Sequence, residues 1–340
     1  PKTPHDVVAV LHHASEKGLN VQVWGGGTRS GFGSPPPADI LVSTDRLADV
    51  EVYEPDDLTV VVGAGARVDQ IGSMLAEHNQ SAVLPEVPGS STLGGVIAAG
   101  ASGLRRGRLF GTRERLLETT VVTGDGRIVR GGGRVVKNVT GYDVPRLHFG
   151  AFGSLGIIVS VCLKLWPVPP AAATVRVDHP EAASSIARPL AILEENAGSR
   201  VFVWGTEAEV ESKIRRLGGD SQPGHDWPSD PSGDFRWSLR LPPALTAEGI
   251  RRLPSDWRYL AVHGVGEIRA ASGTIEGAAD LRSWAETTGG HLVVAEAPSD
   301  SLDGFDPWGT PPPGLRLQSD LIAQFDPARV INPGRLPGGL

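Results

Sequence analysis

Cysteine is nearly missing from this 340-residue chain, and the lone Cys162 excludes an internal disulfide and any iron–sulfur cluster ligated by this chain alone. Its setting, IIVSVCLKL, is an apolar strand pattern, which predicts a buried and inert thiol. Positive charge is also short: a net charge of −7 argues against general nucleic-acid binding. No apolar run approaches the length of a membrane span, and no basic-then-apolar segment opens the sequence, so the expectation is a cytoplasmic protein without a direct membrane span. What is present is glycine, proline and valine in quantity, which predicts short strands and many turns. The length suffices for two domains, each with its own core.

The stretch from Pro85 to Arg115, PEVPGSSTLGGVIAAGASGLRRGRLFGTRER, reads as a long loop dense in small residues that ends in five arginines (Arg105, Arg106, Arg108, Arg113, Arg115). Small residues let backbone approach a ligand closely, and Gly89, Gly94, Gly95, Gly100 and Gly103 can also take positive φ. Successive N–H groups in such turns form nests for anionic oxygens.

In chain order, Thr3 to Gly18 reads as a helix with Thr3 as cap, Pro4 in the first turn and Val7, Val8, Leu11 and Ala14 on one face. LNVQVWG is a strand that runs into Gly25-Gly26-Gly27-Thr28-Arg29-Ser30-Gly31, a second phosphate-cradle candidate. It is no Walker loop, because no Gly-Lys-Ser/Thr follows at the required spacing. DILVSTDRL adds a strand and a turn. Residues 58–78 imitate a Rossmann start, but Val68 stands at the third glycine position and no acidic residue closes a second strand. A structural strand–turn–helix with Ile71, Met74 and Leu75 inward is the better reading. LLETTVVTGDGRIVRGG is a hairpin turning at Gly124-Asp125-Gly126. Ile157 to Leu165 is a long apolar strand, and Pro167, Pro169 and Pro170 mark a domain boundary.

Beyond the prolines, strands alternate with helices. ATVRVDH is a strand, PEAASSIARPLAILEENAG a helix bent at Pro189, RVFVWG a strand and TEAEVESKIRRLGG a well-capped helix. A polar linker spans 220–233. FRWSLRLP, a helix near 246–253, RYLAVHGVGEIRA, a helix over 273–288 and HLVVAEAP follow. Two βαβ-like halves suggest an antiparallel sheet with helices on one face, a small ferredoxin-like cap. The final piece, LQSDLIAQFDPARVINPGRL, is a short helix and a tail.

Four motifs, GGGTRSGFG (25–33), PGSSTLGG…AAGASGLRRGRLFGTRER (88–115), KNVTGYD…FGAFGSLGII (137–158) and FDPARVINPGRL (325–336), together resemble the flavin family of vanillyl-alcohol oxidase and the D-2-hydroxyacid dehydrogenases. Within it the chain is similar to the FAD-binding second subunits of bacterial glycolate oxidases. The resemblance implies an α+β fold: a PCMH-type FAD-binding domain over 1–170, in subdomains of about 1–54 and 55–170. A cap over 171–314 and a returning tail over 315–340 complete it. It implies FAD as cofactor. Gly25, Gly26, Gly27, Thr28, Arg29 and Ser30 would hold the diphosphate. Gly89, Ser90, Ser91, Thr92, Gly94, Gly95, Ala98, Ser102 and Gly103 would line the flavin, ribityl and phosphates. Gly156 and Ile158 would lie near the adenosine side, with Lys137, Asn138, Tyr142 and Asn332 closer to the isoalloxazine. A structural hydrogen bond holding the tail is the competing role for Tyr142 and Asn332.

Departures matter as well. Many members attach flavin through a His where this chain has Thr28, so noncovalent FAD is expected. Phe152 replaces a Glu. The metal signature of the catalytic members has only an echo in His263-Gly264-Val265-Gly266-Glu267, and no metal site is expected. The function so implied is that of an FAD subunit in a glycolate or D-2-hydroxyacid dehydrogenase complex. It would oxidise a small 2-hydroxyacid to a 2-oxoacid through flavin N5 and pass electrons to a second flavin subunit and an iron–sulfur subunit, peripheral to the inner membrane through those partners. Arg240 and Arg269 as carboxylate clamps and His263 as proton acceptor are the catalytic candidates, on cap strands expected to face the flavin. The rival readings are a flavin-holding electron relay or scaffold, an NADPH-dependent reductase on the same fold, and a flavin-free sugar or nucleotide binder.

Overall fold

The computed structural model describes residues 1–134, 142–299, 301–302 and 304–340. The first helix, α1 (Pro4–Lys17), has the expected start and stop. The Thr3 side chain and Asp6 form a reciprocal capping box, and Gly18 ends the helix in the left-handed conformation. Its buried stripe of Val7, Leu11 and Ala14 packs on β1 (Val21–Trp24) and the parallel β2 (Ile40–Ser43). The tail residues Val330 and Ile331 complete that core.

A second unit follows. It contains β3 (Val50–Glu54), β4 (Thr59–Gly63), α2 (Val68–Ala76), β5 (Gln80–Ser81), α3 (Leu93–Ala98), α4 (Arg106–Leu109), β6 (Leu116–Val122), β7 (Ile128–Gly132), α5 (Val144–His148), β8 (Ile157–Lys164) and β9 (Trp166–Pro167). Five of the strands form an antiparallel sheet in the order β3-β4-β8-β6-β7. The apolar β8 lies at its centre, which accounts for its buried run and for the buried, uncharged Cys162 thiol, whose pKa burial pushes up to about 11. The strand–turn–helix over 58–78 is structural, with Ile71 and Leu75 buried and Met74 packed beside them. Two readings need correction. The supposed long loop of 85–115 contains α3, capped by Thr92, as well as α4 and a 3₁₀ turn at Thr112–Arg115. The strand β3 (Val50, Glu51, Val52, Tyr53, Glu54) is missing from the sequence reading: its alternation covers only Val50 to Val52, and none of its five residues is buried.

The remaining strands build one eight-stranded antiparallel sheet from two similar halves. The first contains β10 (Ala171–Val177), β11 (Ala191–Glu195), β12 (Gly198–Gly205), α6 (Glu207–Leu217) and β13 (Ser221–Pro223). The second contains β14 (Phe235–Arg240), α7 (Thr246–Arg252), β15 (Arg258–Val262), β16 (Glu267–Ser272), α8 (Ala278–Thr287) and β17 (His291–Glu296). The order β13-β10-β12-β11-β15-β16-β14-β17 is a ferredoxin-like arrangement written twice, joined edge to edge at β11 and β15. The expected helix over 180–198 is instead a 3₁₀ turn at Pro180–Ser185 and the strand β11. Pro189 denies the helix a backbone N–H, and Ala191–Glu195 gains a ladder on both sides. RYLAVHGVGEIRA is likewise a hairpin of β15 and β16 rather than one strand.

Helices cover one face of this sheet. There Trp237 stacks on Trp257 with ring centroids 5.1 Å apart, and Leu239, Ile268 and Leu292 meet Leu281 and Ala285 of α8. On the opposite face Leu193, Phe202, Leu260 and Val262 pack against Val83, Leu104 and Leu109 of the N-terminal part. Further along that face the side chains turn charged, and a cavity opens. After β17 the chain returns through α9 (Leu315–Phe325) to the N-terminal part.

Candidate functional site

The glycine turn after β1 and the segment Pro88–Ala99 are pressed together. A Cβ on Gly25 would collide with Thr92 Oγ1, and one on Gly26 would overlap the Ser90 carbonyl. Of Gly89, Gly94, Gly95, Gly100 and Gly103 only Gly100 takes positive φ, so close approach rather than backbone handedness explains Gly94, against Ala64, and Gly103, against Pro85. Thr28 Oγ1 lies 3.0 Å from Oγ of the buried Ser91, which fixes one loop on the other. Among the described residues, the backbone N–H groups of Gly25 to Arg29 have no protein acceptor. The residues that carry these donors line a narrow slot of about 100 Å³ whose walls also include Thr92, Gly95, Ala98, Phe152, Asn332 and Arg335.

The tail closes this slot. Asn332, at φ 47°, accepts from Val23 N at 3.0 Å and donates to the Phe152 carbonyl at 2.8 Å. Arg335 donates to the carbonyls of Ser30 (2.8 Å), Arg29 (3.0 Å) and Ser34 (3.1 Å). It makes no ion pair with a carboxylate of the described residues, and burial lowers its pKa to about 10. The Phe152 ring packs between Phe32 and Trp308, at 5.5 and 5.2 Å, so the residue that departs from the family pattern is an aromatic wall.

Thr28, Arg29 and Ala99 are shared between the slot and a larger cavity of about 610 Å³ lying against the cap sheet. Its other walls include Ser102, the linker residues Trp227–Pro231, and Arg236, Ser238, Arg240, Glu267 and Arg269. Arg240 faces Glu267 across β14 and β16, and strand parity brings Arg269 to the same face. Glu267 is buried, which by itself would raise its pKa. Arg269, Arg240 and Arg106 overcome burial and hold the carboxyl at about 2. Burial works against the charge on Arg269, but Glu267 and Asp230 outweigh it and raise that pKa. Arg29 forms no ion pair with the described residues. Burial, then the nearby Arg269, pulls its pKa down, so an anion at this junction would be favoured.

The residues named from sequence divide clearly. Gly25 to Ser30, Thr92, Gly95, Ala98 and Asn332 line the slot, and Ser102, Arg240 and Arg269 line the cavity. Ser90, Ser91 and Gly94 stand behind these walls and support them. Gly89 packs near Asp69, and Gly103 against Glu86 and Pro85. Gly156 and Ile158 lie at and in β8 against the strand β6, off the slot. Lys137 and Asn138 lie outside the described residues. Tyr142 is 95% exposed and lines neither space.

His263 also stands elsewhere. It follows β15, its N–H bonds to Ile192, and its Nε2 lies 2.7 Å from Glu194 on the helix-covered face of the sheet. The strand alternation that aims Arg269 at the cavity turns this histidine away. The residues missed from sequence are Arg335, Phe32, Arg106 and Glu267. Only the spacing of Glu267 and Arg269, two apart on one strand, signalled a common face.

The donor set suits a dinucleotide diphosphate: five successive free N–H groups, two guanidiniums without carboxylate partners, and glycines whose replacement would block the approach. No group of three or more potential metal ligands occurs among the described residues. The model of the FAD binding domain family matches residues 1–132. Glycolate oxidase subunit GlcE of Escherichia coli (strain K12) is 30% identical over 84% of this chain and 83% of its own length. D-lactate dehydrogenase of Archaeoglobus fulgidus is 34% identical, but over 49% of this chain and 38% of its own length. Alkyldihydroxyacetonephosphate synthase superposes with a TM-score of 0.69 over 98% of this chain and 75% of that one, at 16% identity, which shows a shared fold. The chain belongs to the PCMH-type family of FAD-binding oxidoreductases, and its cofactor is FAD.

Proposed function

We propose that this chain is the FAD-holding subunit of a 2-hydroxyacid dehydrogenase complex, of the glycolate or D-2-hydroxyacid kind, converting a 2-hydroxyacid to a 2-oxoacid. In this reading residues 1–170 hold the cofactor, 171–314 cap it and 315–340 return to it. The observation that carries the proposal is the pair Arg240 and Arg269, bonded with Arg106 to Glu267, in the wall of a cavity that shares Thr28, Arg29 and Ala99 with the dinucleotide slot. Guanidiniums are suited to fork a carboxylate. When bound, FAD supplies a two-electron acceptor. The chain's own residues hold the diphosphate on Gly25–Arg29, orient the substrate acid on Arg240 and Arg269, and screen the cavity with Trp227–Pro231.

The cofactor is held noncovalently in this proposal, since Thr28 occupies the position of the attaching residue and its hydroxyl is already bonded to Ser91. Its relatives include proteins described as subunits, GlcE and, in Bacillus subtilis, GlcD. That supports a complex of several subunits, in which we propose a second flavin subunit and an iron–sulfur subunit as partners. No helix among the described residues is long and apolar enough to cross a membrane. A cytoplasmic place, peripheral to the inner membrane through those partners, is part of the proposal.

One observation favours a second reading, a flavin-holding electron relay. With His263 off the cavity, its carboxylates are all engaged: Glu86 by Arg105, Asp230 by Arg269, Glu267 by three arginines and Glu296 by Arg236. No free proton acceptor remains among the described residues of the wall. Anaerobic titration of the FAD-loaded chain, alone and with its partner subunits, separates the readings. Bleaching of the flavin by glycolate or D-lactate supports catalysis here, bleaching that requires partners supports the relay, and bleaching by NADPH alone sinks both.

A further inference from the structure

Glu267 joins the two halves of the cavity wall. Its carboxylate is 3% exposed. Oε2 accepts from Arg240 Nη1 at 2.8 Å and lies 3.1 Å from Arg106 Nη2, while Oε1 accepts from Arg269 Nε at 2.8 Å. Arg240 and Arg269 are on cap strands, but Arg106 starts α4 in the arginine-rich segment of the N-terminal part. Among the described residues every other ion pair stays on one side of the boundary at Pro167–Ala171. Arg106 Nη2 also reaches the Val265 carbonyl at 3.3 Å, and Arg269 Nη2 the Ser102 carbonyl at 3.3 Å, so the crossing is braced from both sides. A buried carboxylate survives only when paired, and one that serves three guanidiniums fixes the direction of each. The cluster remains cationic, because Asp230 is the one other carboxylate bonded to it.

We propose that Glu267 is a positioning residue: it aims Arg240 and Arg269 at an anionic group in the cavity and, through Arg106, clasps the cap sheet onto the nucleotide-binding part. The aiming role rests on the hydroxyacid reading above; the clasp does not.

The test is Glu267→Gln in the FAD-loaded full chain, which keeps the size but removes the charge and one acceptor. Two probes are read, with the FAD-to-protein ratio checked for each variant. Oxalate, a non-oxidisable carboxylate, is titrated against flavin absorbance, and acrylamide, a neutral quencher, against flavin fluorescence. The oxalate Kd should rise about tenfold as a charge-assisted contact is misdirected. The acrylamide quenching constant should roughly double as the cap opens more often. Glu267→Asp should recover part of both. Arg106→Gln should raise quenching as well, and it decides the clasp if the Gln variant does not fold. Unchanged quenching in these variants overturns the clasp, and unchanged oxalate affinity overturns the aiming role. A wild-type flavin undisturbed by oxalate and unbleached by every 2-hydroxyacid sinks the hydroxyacid reading and the aiming role with it. The acrylamide comparison still decides the clasp.

Discussion

The side-chain amide of Asn332 donates to the backbone carbonyl of Phe152 at 2.8 Å, linking positions 180 residues apart in the chain. The same amide accepts from Val23 N, so one residue of the tail ties together the strand that enters the glycine turn and the aromatic wall of the slot. Asparagine also tolerates the positive φ at this position better than most residues. Asn332→Ala should therefore lose two hydrogen bonds and gain strain, costing about 2 kcal/mol. Urea unfolding of the apoprotein would measure that loss, and FAD should dissociate more readily from the variant.

Gly26 should be intolerant of any side chain. Its missing Cβ is the space taken by the Ser90 carbonyl, itself held by Arg67. Gly26→Ala should separate the two loops and abolish FAD retention while leaving the cap intact. The ratio of 450 to 280 nm absorbance after purification reads the first, and unchanged cap peptides in hydrogen exchange read the second. Normal flavin content in the variant would remove this turn from the cofactor site.

Noncovalent attachment has a direct check. Acid precipitation of the yellow protein should leave FAD in the supernatant and no fluorescent band on a denaturing gel. A flavin that stays with the pellet would contradict the role given to Thr28.

His148 makes stability depend on pH in a defined direction. It is buried, its ring meets Phe325 edge-on at 5.8 Å, and its Nε2 has no partner among the described residues. Burial pushes its pKa from 6.5 down to about 4. The unfolded chain therefore takes up the proton first as pH falls, so stability is complete above 6.5 and declines from there toward 4. Between pH 7 and pH 5 the loss from this residue is about 2 kcal/mol. His148→Leu should flatten that part of the pH profile of urea midpoints; an identical slope would mean that the ring is protonated in the fold.

Local chemistry made much of the fold legible. The capping residues of α1 and α6 are each visible within four positions, and both helices end at a glycine in the left-handed conformation, as expected. The glycine turn after β1 was readable because only residues without Cβ can sit so close to a second backbone. The misread segments share a cause. In 180–198 an alternation weak enough to pass for a helix became a strand, because β12 and β15 offered it ladders on both edges. The cap's duplication was half visible, since the repeated alternation of strands and helices was clear while the edge-to-edge joining of the halves was not.

By itself the sequence determined where backbone could approach an anion, where helices begin and stop, and which segments alternate. Those properties depend on neighbours in the chain. Only the tertiary structure decided that His263 faces away from the cavity while Arg240 and Arg269 face into it, because the side of a sheet is set by pairing with strands dozens of residues distant. It also decided that Glu267, two residues from Arg269, gathers an arginine from the other side of the molecule. A buried charge takes its meaning from whichever cations the fold delivers to it.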